Sequence, residues 1–161
     1  MKPRQMAAAL LAASGIGMAA AAPGGKSMTQ QIEVASRDGK VLVTMQFDNH
    51  SASTLYVPRQ IAENGELFGN HFEVKEAASG KVLDYVGPMV KRAPFGPEDY
   101  VPVKAKGKLR SVLDISRAYA FLPGQHSYQL RYAGNYVADL KQVDKVTPVV
   151  TPVVTFTHTQ K

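Results

Sequence analysis

Hydrophobic and polar residues alternate along much of the chain from Gln30 onward, and this alternation predicts β-strands. One face of the clearest run carries only apolar side chains: Val41, Val43, Met45 and Phe47. The opposite face is largely polar, which is typical of a half-buried antiparallel strand. A polar cluster at residues 49–53 ends this strand, and an extended run resumes at residues 54–57. The sequence therefore predicts a hairpin between these two runs.

The alternation continues beyond a loop that contains several glycines. It returns at residues 71–76, and a Gly-containing turn then leads into residues 82–85, which predicts a second hairpin. Residues 100–103 include Pro102 and predict a short edge strand, because proline cannot donate a hydrogen bond within a central strand.

Two local patterns follow in the second half of the chain. Residues 109–115 predict another strand, and Ser116 is predicted to cap a single helical turn that reaches Tyr119. Tyr128 comes shortly after a Pro-Gly turn and shares a strand face with Leu130 and Tyr132. This placement is typical of a tyrosine corner, in which the hydroxyl bonds back to the preceding loop.

These patterns together predict the fold class. About seven to eight short strands at fairly regular spacing, with no long helical period, are typical of a sandwich. The sequence therefore predicts an all-β, immunoglobulin-like antiparallel β-sandwich over residues 30–136.

The tail at residues 137–161 contains a short repeat. Thr147-Pro148-Val149-Val150 is followed at once by a second Thr-Pro-Val-Val. The β-branched residues favour an extended chain, and each proline removes a backbone donor. We expect an extended tail or edge strand packed on its own domain, with an apolar binding arm as the alternative.

The N-terminus has the organisation of a signal peptide. Lys2 and Arg4 precede an Ala-rich apolar run that ends before Pro23. We predict a signal peptide over residues 1–21, with cleavage after Ala21, followed by a flexible segment at residues 22–29. The mature protein is then secreted or periplasmic, with no membrane attachment after cleavage.

Composition narrows the function classes. The chain has 161 residues, a net charge of +6 and no cysteine. The basic residues are scattered among acidic ones rather than gathered in a stripe, so we predict no nucleic-acid partner. The absence of cysteine excludes thiol catalysis and cysteine metal ligands.

Candidate chemistry is sparse. The four histidines lie far apart, and none has the spacing of a metal-binding motif. No Gly-x-Ser-x-Gly motif and no phosphate-binding glycine loop is present. Asn49 begins an Asn-x-Ser acceptor for glycosylation, a motif short enough to occur often by chance. We therefore predict a protein that is not an enzyme and that needs no cofactor or metal.

Residues 85–100 are the stretch that strand patterning explains least. They contain three prolines and two glycines, together with apolar side chains and a basic pair. The residues predicted to contact a partner are Met89, Val90, Lys91, Arg92, Phe95 and Tyr100. The residues predicted to have structural roles are Gly87, Pro88, Asp114, Ser116, Tyr119 and Tyr128. The alternative is a long connection whose apolar residues cover one end of the core.

Several segments also carry a resemblance to a known family. They are Phe-Asp-Asn at residues 47–49, Leu-Phe-Gly-Asn-His-Phe-Glu-Val at 67–74, Gly-Pro-x-Val-Lys-Arg from Gly87 and Asp-x-Ser-x-Ala-Tyr from Asp114. Across roughly residues 32–132 this order resembles the N-terminal β-sandwich region of secreted bacterial deuterolysin-type (aspzincin) metallopeptidases. The last two segments are the most specific part of the match.

The resemblance implies an accessory role. In those enzymes the region is similar to a propeptide that precedes a zinc catalytic domain, assists its folding and keeps it inactive. This sequence has no His-Glu-x-x-His motif to bind that zinc. The resemblance therefore implies a non-catalytic protein that binds such a peptidase in trans, as inhibitor or folding chaperone. The alternatives are a periplasmic or surface binding module that acts through its edge strands, and an inactive remnant of a truncated peptidase.

Overall fold

The computed structural model describes residues 27–91 and 93–161. The predicted signal peptide at residues 1–21, the beginning of the segment at residues 22–29, and Arg92 lie outside the described residues. The described residues are mostly β-structure and form two sheets in a β-sandwich-like arrangement. No helix among them is long and apolar enough to cross a bilayer.

Ten strands and one short helix follow each other along the described chain. They are β1 (Met28–Arg37), β2 (Lys40–Asn49), β3 (Leu55–Pro58), α1 (Arg59–Ala62), β4 (Gly65–Glu66), β5 (Phe72–Glu76), β6 (Tyr100–Val103), β7 (Lys108–Asp114), β8 (Gly124–Val137), β9 (Val146–Val150) and β10 (Val154–Gln160). The first sheet has the order β1-β2-β7-β4. The second has the order β10-β8-β3-β6, and β5 and β9 also pair with β8.

The alternation of β2 places its apolar face in the core, as the sequence predicts. Val41, Val43, Met45 and Phe47 are all fully buried. The chain reaches β2 from β1 through a tight turn in which Asp38 and Gly39 have φ values of 53° and 73°. Asp and Gly tolerate positive φ, which explains the sharp β1–β2 hairpin.

The predicted hairpin between β2 and the next run is wrong. The strand β3 pairs with β6 and β8 in the second sheet. Both edges of β2 are already occupied, by β1 on one side and β7 on the other. The chain after Asn49 therefore crosses from one sheet to the other, where Leu55 and Val57 are buried.

The second predicted hairpin is present only in part. Its first arm is β5, but the second arm makes a single bridge, between Lys75 and Val82. The main partner of β5 is β8, with Phe72 opposite Tyr132. The second arm separates from β5 after Leu83, because Tyr85 pairs with Tyr119 instead.

The single helical turn predicted after Ser116 is also wrong, since the chain forms only a hydrogen-bonded turn there. The Ser116 hydroxyl accepts a hydrogen bond from the Val41 N–H at 2.8 Å and donates one to the Asp114 carboxylate. A hydroxyl used in this way links β7 to the start of β2 and is not available to cap a helix. By contrast, the Tyr128 hydroxyl accepts a hydrogen bond from the Leu122 N–H at 3.0 Å, the contact with the preceding loop that the sequence predicts.

The tail forms an edge of the second sheet. The strands β9 and β10 both pair with β8 and bury Val149, Val154 and Phe156. Between them Thr151 occupies a bulge, where its Oγ1 accepts the Tyr132 N–H at 2.9 Å. A side-chain oxygen thus replaces a backbone carbonyl, and the Thr-Pro-Val-Val repeat stays attached to β8 on both sides of the bulge.

One polar side chain lies in the core without a visible partner. Gln30, on β1 opposite Phe47, is fully buried, and neither its Oε1 nor its Nε2 has a hydrogen bond among the described residues. A buried polar group without a partner costs about 1–3 kcal/mol. Gln30→Met, which keeps the length and removes the polar atoms, is expected to raise the free energy of unfolding by about 1–3 kcal/mol, measured by urea denaturation.

The neighbouring residue is the matched control. Gln31 is on the opposite face of β1 and is partly exposed, so Gln31→Met should change stability by less than about 0.5 kcal/mol. A Gln30→Met protein less stable than the wild type would show that the amide has a partner, such as an internal water.

Candidate functional site

The loop at residues 85–100 begins at a rigid anchor. The ring of Tyr85 packs edge-on against that of Tyr119, with centroids 5.5 Å apart and an interplanar angle of 75°. The Tyr85 hydroxyl accepts the Gly69 N–H at 2.8 Å and donates to the Pro88 carbonyl oxygen at 2.7 Å. A single phenol therefore fixes the start of the loop to the chain before β5.

Gly87 and Pro88, two of the residues predicted to have structural roles, lie in this anchor. The N–H groups of Val86 and Gly87 donate to the Ala118 carbonyl oxygen at 2.8 and 3.2 Å. A Cβ on Gly87 would lie 2.7 Å from the Tyr85 hydroxyl and 3.1 Å from the Ala118 Cα. Only glycine allows the backbone to approach these two residues so closely.

Tyr119, which packs against Tyr85, also supports the anchor. Its buried hydroxyl accepts the Phe72 N–H at 3.0 Å and lies 2.9 Å from the Phe72 carbonyl oxygen. Burial raises the pKa of Tyr119 far above its ordinary value, which outweighs the opposing hydrogen bond from the Phe72 backbone. The phenol therefore stays neutral and can donate and accept at the same time.

Asp114 and Ser116 fix the turn that carries Tyr119. The Asp114 carboxylate accepts hydrogen bonds from the hydroxyl and the backbone N–H of Ser116, the latter at 3.0 Å. Burial opposes ionisation of Asp114, but these bonds, with the charges of Lys40 and Arg117, outweigh it and hold its pKa below the ordinary value. The charged carboxylate is therefore a stable part of the turn.

The end of the loop is also held. Residues Pro97–Asp99 form one 3-10 turn, and the Asp99 carboxylate accepts the Gly96 N–H at 3.0 Å. From α1, the Arg59 Nε donates to the Glu98 carbonyl oxygen at 3.0 Å. The loop thus has two fixed ends, and Met89, Val90, Lys91 and Phe95 between them are exposed.

The projecting tip is apolar and open to solvent. The side chains of Met89, Val90 and Phe95 are 79%, 56% and 45% exposed. Lys91 is exposed beside them, and Arg92 lies outside the described residues. Four of the six residues predicted to contact a partner are therefore exposed. Exposed apolar side chains between fixed ends are unusual for a connection that merely covers a core.

Tyr100 differs from the other predicted contact residues. It is only 6% exposed and begins β6, where its ring lies 6.1 Å from that of Phe95. Burial, and then the charge of Asp99, raise the pKa of Tyr100. Tyr100 therefore supports the tip through Phe95 and does not lie on the outer surface.

Phe95 and Tyr100 also form one wall of a pocket of about 400 Å³. Residues 132–135 near the end of β8, the chain that leads into β9, and residues of β3, α1 and the chain before β5 form the other walls. The lining residues are Pro58, Gln60, His71, Phe95, Tyr100, Tyr132, Ala133, Gly134, Asn135, Val143, Asp144 and Val146. The pocket lies directly beside the loop and has mixed apolar and polar walls.

The sequence does not predict that residues of β8 line this pocket. Gly134 lies inside the strand, and the Tyr132 ring covers the space that a side chain at Gly134 would occupy. A glycine inside a strand is the one available signal, because it often marks a close approach of another group. Nothing local in the sequence indicates that Asp144 or Phe95 would reach the same place.

The histidines have local partners. His158 is buried, with its Nδ1 2.9 Å from the Ser36 Oγ, and the His126 Nδ1 lies 3.1 Å from the Glu76 Oε1. His50 bonds to the Thr29 hydroxyl and His71 to the Phe68 carbonyl oxygen. In residues 27–91 and 93–161, no three His, Cys, Asp or Glu side chains are arranged to hold a metal ion.

Comparisons with known proteins add no homologue. No family model matches the chain, and no curated protein is significantly similar to it.

Proposed function

We propose that this protein is an exported, non-catalytic binding domain whose loop at residues 85–100 docks on a protein partner. The observation that carries the proposal is the exposure of Met89, Val90 and Phe95 between two fixed loop ends. Exposed apolar side chains in a segment whose ends are held in place are typical of the anchors of protein interfaces.

The fixed ends favour binding energetically. Ordering a flexible loop costs free energy that must be subtracted from the affinity. The hydrogen bonds of Tyr85 at the start and of Arg59 at the end already restrict the loop before it binds. More of the free energy from burying the tip therefore appears as affinity.

The proposed partner is a secreted zinc metallopeptidase of the deuterolysin type. The Gly-Pro-x-Val-Lys-Arg segment supports this choice through its resemblance to that family, and the segment lies in the loop itself. Lys91 and Arg92 would meet a cleft rich in carboxylates. The domain would act in trans, as inhibitor or folding chaperone. An immunoglobulin-like topology and export through the signal peptide belong to the same proposal, and the contact of Tyr128 with Leu122 supports the former.

A loop variant tests the proposal directly. Val90→Asp is expected to weaken the complex with a deuterolysin-type peptidase by about 30-fold, the effect of losing a typical anchor of ~2 kcal/mol. The measurements are the dissociation constant by calorimetry, the inhibition of hydrolysis and the refolding yield of the peptidase. Lys91→Ala should mainly slow association at low salt, because exposed charges steer encounter.

The matched control lies on the tail. Val153 is 51% exposed, nearly the same as Val90, and Val153→Asp should leave the affinity unchanged. If Val153→Asp and not Val90→Asp weakens the complex, the partner binds the edge strands instead. If the wild-type protein changes neither hydrolysis nor refolding yield, the peptidase is the wrong partner. A pull-down from the secretome of the same organism, followed by mass spectrometry of the retained proteins, would then identify another partner. If no protein is retained, the result supports an inactive remnant.

The second candidate function is a binding module that acts through the edge of β9. Val146 and Val150 are exposed at this edge. Pro148 stands opposite Asn135 in the pairing with β8 and has no N–H to offer an added strand. Proline on a free edge is a common protection against further pairing. The loop is therefore the better candidate.

A further inference from the structure

The geometry points to a second element of the binding site: the pocket beside the loop accepts an aromatic side chain, tryptophan or tyrosine, from the bound partner. This inference rests on the proposed function, because it takes the occupant from the protein that the loop contacts. It goes beyond that function by naming the recognised chemical group and the residues that receive it.

The pocket has the size and walls for an aromatic ring. Its volume of about 400 Å³ exceeds that of an indole, so one large side chain and part of its backbone fit. Pro58, Val143 and Val146 supply aliphatic surface. Phe95 and Tyr100 supply two rings in a tilted arrangement, with an interplanar angle of 54°. A third ring placed among such walls gains edge and face contacts beyond simple burial.

The polar groups select for a ring that carries a donor. Asp144 lines the pocket and is exposed, so its carboxylate is a hydrogen-bond acceptor in the wall. Asn135 also lines the pocket, but its Oδ1 is buried away from it and is not offered to a guest. Indole offers one N–H and phenol one O–H, so either ring can donate to the Asp144 carboxylate.

The tyrosines of the pocket do not add charge. Burial raises the pKa of Tyr132 well above its ordinary value, although a hydrogen bond from the Asn135 backbone acts in the opposite direction. Tyr100 also has a raised pKa because of burial and the Asp99 charge. Both phenols are neutral at physiological pH, which suits a neutral aromatic guest.

The position of the pocket connects it with the loop. Phe95 belongs to the exposed tip and to the pocket wall at once. A partner segment that contacts Phe95 at the tip would therefore lie at the pocket mouth. Aromatic side chains are enriched among the dominant contacts of protein interfaces, which makes one of them the expected occupant.

The test uses N-acetyl-tryptophanamide as probe. This protein contains no tryptophan, so indole emission reports the probe alone. We expect a saturable blue shift with a dissociation constant on the order of millimolar, reasonable for so small a ligand. Chemical-shift mapping by NMR should place the largest changes at Gly134 and Asn135. Phe95→Ala should weaken binding at least about 5-fold, whereas Phe68→Ala, equally exposed and outside the pocket, should not change it.

Competition separates the possible occupants. A peptidase that binds through this pocket should displace the probe, and N-acetyl-argininamide should not. Failure of the probe to bind, or stronger binding of the arginine compound, would overturn the inference and leave docking by the loop intact. A peptidase that binds while the probe stays in place would also overturn it. If the probe binds but no complex with the peptidase forms, the proposed partner is wrong. The inference that a side chain of this partner occupies the pocket is then wrong as well.

Discussion

Asn49→Ala is expected to lower the free energy of unfolding by about 3 kcal/mol, among the largest effects that one polar substitution in this domain can have. The Asn49 amide is buried at the end of β2. Its Nδ2 lies within 3.1 Å of three carbonyl oxygens, those of Ser53, Val103 and Lys104. Its Oδ1 accepts both the N–H and the hydroxyl of Ser51.

These bonds explain why the effect is large. The chain crosses between the sheets just after Asn49, and the same side chain links the crossing to the end of β6. Alanine would remove the side-chain donor of the buried Val103 carbonyl oxygen and the acceptor of the Ser51 N–H. The Ser53 and Lys104 carbonyl oxygens would keep the Ser51 hydroxyl and the Gly107 N–H as donors. Each group left without a partner costs about 1–3 kcal/mol. Urea denaturation followed by circular dichroism measures the loss.

Two variants serve as controls. Asn64 accepts one hydrogen bond, from the Val112 N–H at 2.7 Å, and is exposed, so Asn64→Ala should cost no more than about 1 kcal/mol. Asn49→Asp keeps the size of the side chain but replaces the donating Nδ2 with an oxygen, which repels the carbonyl oxygens around it. This variant should therefore be at least as destabilising as Asn49→Ala. Equal midpoints for Asn49→Ala and Asn64→Ala would contradict the role given to the amide. The same bonds mean that the folded domain does not present Asn49 for glycosylation.

The sequence predicts those parts of the fold whose cause is local. The alternation of β2 determines which face is buried, and the pair Asp38 and Gly39 is sufficient for the turn before it. The pairing of β3 is not local. Whether it joins β2 or β6 depends on which edge of β2 is free, and that is decided by β7, more than fifty residues later in the chain.

The candidate site shows the same division. Prolines and glycines at residues 85–100 indicate a structured loop, and its exposed tip agrees with the pattern of apolar residues without strand alternation. The sequence gives no sign that Tyr100 is buried, because the strand pairing of β6 with β3 causes that burial. The pocket combines residues from β3, the loop, β8 and the chain before β9, and only tertiary structure brings them together.

Gly134→Ala is expected to be the most damaging single-carbon addition in the domain, with a loss of about 2–4 kcal/mol. A Cβ at this position would lie 1.8 Å from the Tyr132 hydroxyl and 2.1 Å from its Cζ. Tyr132 cannot simply move aside, because it is 2% exposed and its ring packs 5.9 Å from that of Phe72. The measurement is the midpoint of urea denaturation, together with binding of the aromatic probe to any folded fraction.

A double-mutant cycle identifies the cause of this loss. If the clash with Tyr132 is responsible, Gly134→Ala should cost less than about 1 kcal/mol in a Tyr132→Ala background, because the ring that the new Cβ meets is then absent. An undiminished cost in that background would instead point to the backbone of β8 at Gly134. Ala133→Val, a larger addition at the exposed neighbouring position, should leave stability within about 0.5 kcal/mol. The cycle thus tests whether position 134 is glycine in order to accommodate the Tyr132 ring. Because both residues line the pocket beside the loop, the same result shows whether this glycine is needed for the pocket wall.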